Sequence, residues 1–424
     1  MKRDDSPYSH FLFGALALIA ASALPTGELD AQEVTFARDV APILYENCVT
    51  CHRPGSFAPM SLIDYTTARR YASRIRTKVE TRQMPPWHLD QTVGIQAYEN
   101  ESSLTDEEIE TIVRWADDGA PMGDAADMPA APVLAEGGAW QLEDMYGRPP
   151  DVVGSSGAYD VVANGQDQWW GPLQKFEGAD VDRWIKGYEF KPAYPNGLRV
   201  VHHGHATLEY PDRDGDYAGG VGIAHYGVGK RYETFPEGVG MLLPAGDAEV
   251  SWNIHYFPVG EAVENDVVDV GLWLYPPGEQ PEIETRGEVL MRVDRMSGMP
   301  RGGDILVPPH GRQVLQGIHV LDTPVLINNF RPHMHMRGKE MSMEAIFPDG
   351  RREMLGKVSD YRHIWQLSYQ FEEDAKPLLP AGTVLLFTSV FDNTAENPLN
   401  PDPNQWVVFG RRGVDEMSHM WVGV

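Results

Sequence analysis

The segment Phe330-Arg-Pro-His333-Met-His335-Met-Arg-Gly338 lies between two apolar runs, one at residues 325–327 and the other at residues 341–347. Both runs show the composition and alternation of β-strands. Because side chains i and i+2 of a strand share a face, His333 and His335 are placed to converge on one ion. Two imidazoles suit copper, zinc, iron or nickel, and the alternative is two histidines on a solvated face.

The composition predicts a multidomain and mostly β protein. A chain of 424 residues is too long for one ordinary hydrophobic core, so we expect two or three domains. Its 42 glycines and 33 prolines favour short strands and turns over helical bundles. The 62 acidic and 35 basic residues give a net charge of −27. This charge argues against nucleic acid and anionic membranes as partners and favours cationic or neutral ones.

The N-terminus has the outline of a secretory signal peptide. Lys2 and Arg3 precede an apolar run at residues 11–20, and small residues follow at 21–23. We therefore expect residues 1–32 to be a signal peptide and the mature protein to be periplasmic or secreted. An uncleaved anchor is the alternative, although the run is short for a membrane span. No later stretch is apolar enough to cross a bilayer, so no span is expected in the mature chain.

Cys48-Val-Thr-Cys51-His52 is the C-x-x-C-H motif of covalent c-type haem attachment. The two thiols add across the haem vinyl groups, and His52 ligates the iron. A redox dithiol would not need His52, and a zinc site would need two further ligands where only His88 is at hand. The chain has no other cysteine, so haem c is the predicted cofactor and no disulfide framework is expected.

Residues 33–122 have the pattern of a small all-α cytochrome c domain. Asp64 is placed to cap one helix, and Thr105 with Glu108 to form a capping box on another. The predicted helices run over residues 36–45, over residues 65–82, and from residue 105 to the glycine at 119.

Met84 precedes Pro85-Pro86-Trp87 and is the predicted sixth ligand of the haem iron. The residue before a proline is held extended, so this loop is stiff and presents the thioether at a fixed place. Methionine opposite histidine raises the haem potential, which suits electron transfer. Met60 and His88 are the rival ligands.

Two consecutive β-sandwiches are predicted after a linker at residues 123–138, which is rich in Ala, Pro, Gly and Asp. The chain changes there to short alternating runs broken by turn residues. We place the sandwiches at residues 139–305 and 306–424. The clearest strand patterns lie at residues 184–190, 198–203, 248–257, 267–275, 314–326, 340–347, 383–391 and 419–424.

The first β half contains several candidate metal ligands. His202 and His203 are adjacent, so they can share a metal only at a bulge or a strand end, for which Gly204 supplies the freedom. His203 with His205 is the easier geometry. His255 lies on an alternating strand, where it is either a solvated residue or a ligand facing an open cleft.

The second β half adds Met417 to His333 and His335. It lies in the late run Gly413-Val-Asp-Glu-Met-Ser-His-Met-Trp421. Thioether ligation is typical of a soft ion, so it favours copper(I) over zinc. A set of three candidate ligands in each half favours metal binding over a chance distribution of histidines.

Taken together, these motifs resemble a known family. The His-His pair, the later Ile-His-Tyr, the His-x-His followed by x-Arg-Gly, and the final Asp-Glu-Met resemble the copper type II, ascorbate-dependent monooxygenases. This family includes peptidylglycine α-hydroxylating monooxygenase and dopamine β-monooxygenase. The resemblance covers residues 139–424, with the motifs in family order. The first third resembles the small cytochrome c domains that are fused to such modules in bacteria.

The resemblance implies two jelly-roll-like domains that face each other across a solvent-filled cleft. It assigns an electron-transfer copper to three ligands: His202, His203 and His255. It assigns the copper that binds dioxygen and abstracts hydrogen to His333, His335 and Met417. Arg331 lies near the position of an arginine that grips a substrate carboxylate in the peptide enzyme, although it can instead pair with a neighbouring carboxylate. Trp421 stands where the peptide enzyme has a tyrosine, which puts peptide specificity in doubt.

The function implied is hydroxylation of a small organic substrate, R–H + O₂ + 2 e⁻ + 2 H⁺ → R–OH + H₂O, with electrons entering through the haem. An external donor, such as a cytochrome or an ascorbate-like reductant, would supply them. The alternative is an electron-transfer or copper-binding multidomain cytochrome without hydroxylase activity.

Overall fold

The computed structural model describes residues 33–54, 56, 58–132, 138–176, 180–210, 221–227, 232–246, 248–292 and 305–424. Residues Val34–Val424 form one compact unit. The predicted signal peptide and part of the predicted linker lie outside the described residues. No helix in the described part is both long and apolar enough to span a bilayer.

The N-terminal part of the unit is a helical module, residues 34–86 and 101–132. Its elements are a π-helical turn Phe36–Val40, α1 Ala41–Asn47, α2 Tyr65–Glu80, α3 Asp106–Asp117 and a 3₁₀ turn Ala125–Asp127. Phe36, Ile112 and Trp115 are fully buried between the helices and anchor a separate hydrophobic core.

Both predicted helix caps are confirmed. The Asp64 carboxylate accepts the Thr67 N–H at 2.8 Å and starts α2. The Thr105 hydroxyl accepts the Glu108 N–H while the Glu108 carboxylate accepts the Thr105 N–H, which is the expected capping box of α3. The helices therefore begin where the sequence indicated, although α2 ends two residues early.

An arm, residues 87–100, leaves the helical module between α2 and α3 and packs on the C-terminal part of the chain. Isolated β-bridges join Leu89 to Val358 and Tyr98 to Phe371. The Asp90 N–H also donates to the Lys357 carbonyl at 2.8 Å. The predicted domain, residues 33–122, therefore includes a segment that packs on the second β half.

The arm completes a buried aromatic cluster. The Trp87 ring lies 4.9 Å from that of Tyr369, which stacks on Phe330 at 5.2 Å. Tyr98 and Phe371 stack beside them at 5.1 Å. Because Phe330 lies three residues before His333, the cluster joins the Met84 loop to the strand that carries His333.

The first β half contains the short helices α4 Gln141–Tyr146 and α5 Gly197–Val200. Within the described residues its strands are β1 Val152–Ser155, β2 Tyr159–Val161, β3 Gln168–Trp170, β4 Leu173–Phe176, β5 Arg183–Pro192, β6 Val201–Glu209, β7 Val221–Gly227, β8 Tyr232–Thr234, β9 Val239–Leu243, β10 Ala248–Tyr256, β11 Val263–Asp266, β12 Val268–Leu274 and β13 Ile283–Thr285. The strand predicted at 198–203 is wrong at its start, where α5 occupies the first residues.

Two sheets of this half pack face to face. One has the order β1-β12-β5-β9-β13 with β8 paired to β5, and the other has the order β3-β10-β6-β7 with β4 paired to β10. Phe190 of β5 meets Trp252 of β10 and Tyr226 of β7 between the sheets. This apolar core fixes β6 and β10, the two strands that carry the candidate histidines.

The second β half repeats this arrangement. Its described strands are β14 Glu288–Arg292, β15 Leu306–Val307, β16 Arg312–Val320, β17 Val325–Leu326, β18 Asn329–His333, β19 Gly338–Ile346, β20 Arg352–Val358, β21 Tyr369–Gln370, β22 Leu378–Leu379, β23 Val384–Asp392, β24 Val407–Val408 and β25 His419–Gly423.

The two larger sheets of this half have the orders β14-β25-β18-β21 and β16-β23-β19-β20. Their core buries Phe330, Met341, Phe387 and Val422. The prediction of a mostly β chain with a few helices at its N-terminal end is confirmed.

Candidate metal centres

His202, His203 and His255 come together through a β-bulge. In the ladder between β6 and β10, His255 pairs with His203, but the next residue, Tyr256, pairs with Val201. His202 is therefore the extra residue of β6, and its side chain joins that of His203 beside His255. Of the two predicted alternatives, a bulge and a strand end, the structure has the bulge.

The structure also bears on three further expectations about β6 and β10. Gly204 is needed for packing, because a Cβ there would collide with the ring of Phe190. The His203 and His205 rings are 6.4 Å apart, so His203 converges with His202 and His255 rather than with His205. His255 is only 5% exposed, which excludes a solvated outer face.

The Nδ1 atoms of the three histidines face one another. His202 Nδ1 lies 3.4 Å from His255 Nδ1 and 3.2 Å from His203 Nδ1. Nitrogen ligands with bonds of about 2.0 Å to one ion lie about 3.3–3.5 Å apart at ordinary trigonal or tetrahedral angles. The spacing is therefore that of three ligands around a single ion.

The outer nitrogens of two of these rings are held by acceptors. His202 Nε2 lies 3.0 Å from the Ile364 carbonyl oxygen, and His255 Nε2 lies 3.1 Å from a carboxylate oxygen of Asp167. Each acceptor requires a proton on Nε2, so a neutral ring keeps a lone pair on Nδ1. When both rings are neutral, two lone pairs face each other at 3.4 Å, an arrangement that a cation between them would stabilise. This donor set fits a metal ion such as copper or zinc.

Burial favours the neutral form of two of the three rings. Loss of solvent, with the neighbouring histidines, lowers the pKa of His202 to about 3 and that of His203 well below its ordinary value. The hydrogen bond from His255 lowers the pKa of Asp167 to about 2, so this carboxylate stays ionised. Trp169 stacks on the His255 ring at 4.1 Å and fixes its plane.

His333 and His335 form a second histidine pair at the end of β18. Their rings are 5.2 Å apart and nearly perpendicular. His333 is the last residue of the strand and His335 lies beyond it, so the expectation that both lie on one strand is wrong. The pair still converges, because the chain turns after Met334.

The outer nitrogens of this pair are also held. His333 Nδ1 lies 2.8 Å from Gln366 Oε1, and His335 Nδ1 lies 3.1 Å from the Asp415 carbonyl oxygen. Neutral rings with Nδ1–H present a lone pair on Nε2, so the two halves offer opposite ring nitrogens. Loss of solvent lowers the pKa of His335 to about 4 and that of His333 well below its ordinary value.

Glu416 clamps the turn that carries His335. Its buried carboxylate accepts the His335 N–H at 2.8 Å and the Arg337 N–H at 2.6 Å. Burial raises the pKa of Glu416 to about 8. Met417 is the next residue and is half-buried. Because Glu416 is hydrogen-bonded to the turn, the Met417 backbone lies beside it.

The two histidine sets are in contact across the boundary between the β halves. The His203 and His333 rings are 5.7 Å apart. Ile364, which accepts from His202, belongs to the second half. The resemblance implied a solvent-filled cleft between the sites; the structure instead has the ligand-bearing surfaces packed together.

Arg331 is not open to a substrate. It is 1% exposed, and its guanidinium carbon lies 5.1 Å from the centre of the Trp421 ring. The expected grip on a substrate carboxylate is therefore unsupported, and Arg331 is part of the packing beneath the sites. His205 stacks on the same Trp421 ring at 4.9 Å, and His419 stacks on His333 at 5.8 Å.

The residues of the predicted haem site lie in the helical module. His52 Nδ1 is 3.1 Å from the Met60 carbonyl oxygen, which leaves Nε2 as the ring nitrogen for an iron. Burial raises the pKa of Cys48 to about 12 and that of Cys51 as well. The two cysteines are free, and the His52 N–H donates to the Cys48 carbonyl at 2.8 Å, so two thiols and an imidazole lie in one turn. This is the donor set that covalent haem would use.

The three candidates for the sixth ligand have different surroundings. The Met60 carbonyl oxygen faces His52 Nδ1, and the Met60 side chain packs on the core of the helical module. His88 is buried beside Asp360 of the second β half, where loss of solvent lowers its pKa to about 4. Met84 lines a cavity of about 150 Å³ with residues of α2, α3 and the arm, and its role as the sixth ligand stays a prediction.

Several residues of these sites had no sequence signal. Asp167, Trp169 and Gln366 lie on loops or short strands far in sequence from the histidines that they contact. Glu416 appears in the sequence analysis only as the residue before Met417, and its role in holding the turn was not predicted.

Comparison with known proteins adds little. No protein-family model and no curated protein matches the chain. A two-domain protein of unknown function from Bacteroides fragilis is 10% identical over 68% of this chain and 99% of that one, with a TM-score of 0.15. Oxalate decarboxylase from Bacillus subtilis is 9% identical over 61% of this chain and 80% of its own, with a TM-score of 0.13. Likenesses at these scores carry no argument about fold or function.

The Asp167–His255 contact generates a test of the first histidine set. We expect Asp167→Ala to weaken copper binding there by about 10–100-fold, because His255 loses the acceptor that holds its tautomer. Competition with a chelator of known affinity measures the change. The exposed Asp322→Ala is the control and should match the wild type. Equal affinity in both variants would contradict the assigned role of Asp167.

Proposed function

We propose that this protein is a haem- and copper-dependent monooxygenase that hydroxylates a C–H bond of a small organic substrate. The observation that carries the proposal is the convergence of two histidine sets on one buried boundary. In four of the five rings the outer nitrogen meets an acceptor, so in the neutral form the inner nitrogen offers a lone pair. The resemblance to the copper type II monooxygenases, drawn from the same residues, points the same way.

The proposed ligands divide between the halves as the resemblance implies. His202, His203 and His255 would hold one copper through Nδ1. His333 and His335 would hold the other through Nε2, with Met417 as the third ligand. Cys48, Cys51, His52 and Met84 would hold haem c. Copper bound here would supply dioxygen activation and storage of one electron per ion, and the haem would supply single electrons.

The chain's own residues support this use in three ways. Burial excludes water from the histidines, all of which are less than 10% exposed. Asp167, Gln366 and two backbone carbonyls orient the rings before any ion binds. The aromatic cluster around Trp87 packs the Met84 loop directly against the second β half. An electron donor bound at the helical module would therefore be connected to the histidines by a continuous path of buried side chains.

The finer fold assignment belongs to the same proposal. The helical module would be a cytochrome c domain, and the two β halves would be jelly-roll-like. The signal-peptide pattern would place the mature enzyme in the periplasm or outside the cell. An ascorbate-like reductant or a cytochrome would serve as the external donor.

The proposal predicts that oxygen uptake depends on an organic substrate. With reductant present, the wild type should consume O₂ and form an equal amount of hydroxylated product from members of a panel of small organic molecules. His333→Ala should fall to the rate of the reductant alone, because the site loses one of its two imidazoles. The exposed His319→Ala should behave as the wild type.

Metal analysis of the same variants separates the competing function. His333→Ala and His255→Ala should each lose about one copper per chain, from different halves. Two bound coppers, fast haem reduction and no substrate-dependent O₂ uptake would contradict the monooxygenase. That outcome would favour the electron-transfer protein instead.

The haem assignment has its own prediction. Met84→Ala should keep haem attached through Cys48 and Cys51 while its reduction potential falls and its ferrous form binds carbon monoxide, because the iron loses its sixth ligand. Visible spectra with and without carbon monoxide measure the change. Met60→Ala and His88→Ala should retain the wild-type spectrum. A carbon monoxide complex in either of these, and none in Met84→Ala, would move the ligand role.

A further inference from the structure

One loop of the second β half touches both histidine sets and the arm. This bridging loop, residues 359–366, follows β20 and leads to β21. It has no helix or strand of its own, so its path is set by the groups that it contacts.

The bridging loop begins against the arm of the helical module. The Ser359 hydroxyl donates to the Asp90 carboxylate at 2.7 Å, and the Ser359 N–H donates to the His88 carbonyl at 3.3 Å. Two residues later, the buried Tyr361 hydroxyl accepts the Met334 N–H at 2.9 Å and donates to the Met334 carbonyl at 2.8 Å. The loop is thus fastened to the residue between His333 and His335.

The far end of the loop reaches the two histidine sets. The Ile364 carbonyl accepts from His202 Nε2 at 3.0 Å, and Gln366 Oε1 accepts from His333 Nδ1 at 2.8 Å. The orientation of the Gln366 amide is fixed, because its Nε2 faces the His363 carbonyl at 3.4 Å and must donate there. The oxygen therefore faces His333, which must carry its proton on Nδ1.

The first β half makes room for this contact. A Cβ on Gly227, at the end of β7, would lie 2.8 Å from both the Cβ and the carbonyl oxygen of Gln366. Glycine at this position lets the loop lie directly against the strand next to β6. Gln366 is 2% exposed in the resulting contact.

We propose that the bridging loop is the shared outer support of both metal centres, with Gln366 as the positioning residue that sets which nitrogen His333 presents. The identity of the ions as copper rests on the proposed function, but the control of the His333 tautomer does not. Gln366 is neutral, so it holds the Nδ1 proton without placing a second charge beside a bound ion. The arm holds the other end of the loop through Ser359.

The first test is made on copper-free protein. In two-bond ¹H–¹⁵N spectra of full-length protein with ¹⁵N-histidine, the His333 signals, assigned with His333→Ala, should show the Nδ1–H form. Gln366→Leu should lose that preference and Gln366→Glu should keep it, because only the carboxylate still accepts the proton. Gln316→Leu, a change at an exposed glutamine of β16, should leave the spectrum unchanged. An Nδ1–H form retained in Gln366→Leu would overturn the proposal.

The second test measures copper(II) binding at the second site, with His255→Ala present in every variant to remove the first site. Gln366→Leu should bind about 10–100-fold more weakly, and Gln366→Glu within a few-fold of the parent with a lower copper reduction potential. Equal affinity and equal electron paramagnetic resonance spectra in the Leu variant would also overturn the role of Gln366. If the parent binds no copper while the tautomer depends on Gln366, the proposed function fails and the positioning role stands.

Discussion

Nδ1 of His202 and Nδ1 of His255 lie 3.4 Å apart in a buried boundary, and the rest of the site depends on this constraint. The acceptors on the outer nitrogens of both rings turn the two Nδ1 atoms toward each other, so both could bind a cation placed between them. The β-bulge at His202 brings the third Nδ1 to the same point. The surrounding packing, including Trp169 stacked on His255, holds the rings in planes that a cation can bridge.

The same boundary joins the three parts of the chain. The first β half supplies three imidazoles, the second supplies two more and the loop that orients rings of both sets, and the helical module holds that loop through its arm. Because His203 and His333 are 5.7 Å apart, the centres are neighbours rather than partners across open solvent. Electrons arriving at the helical module would enter the second half first, since Trp87 packs on Tyr369 and Phe330 beside the strand of His333.

Local signals in the sequence were sufficient for the helix caps, most strands and the bulge. The bulge followed from chemistry alone, because adjacent histidines cannot share an ion on a regular strand. What the sequence did not contain was the packing between distant segments. Contacts across more than 30 residues bury Arg331 and pack the arm on the second β half. Such contacts also bring the acceptors Asp167 and Gln366 to their histidines. Periodicity and spacing carry no information about such contacts.

The proposed enzyme would hold two copper ions per chain in adjacent histidine sites. Copper(II) can be titrated into the copper-free protein and followed by electron paramagnetic resonance. We expect two equivalents to bind, with nitrogen-ligated signals that broaden by magnetic coupling as the second site fills. His333→Ala should keep one uncoupled signal. Saturation at one equivalent, or two signals without any coupling, would rule out two adjacent copper sites.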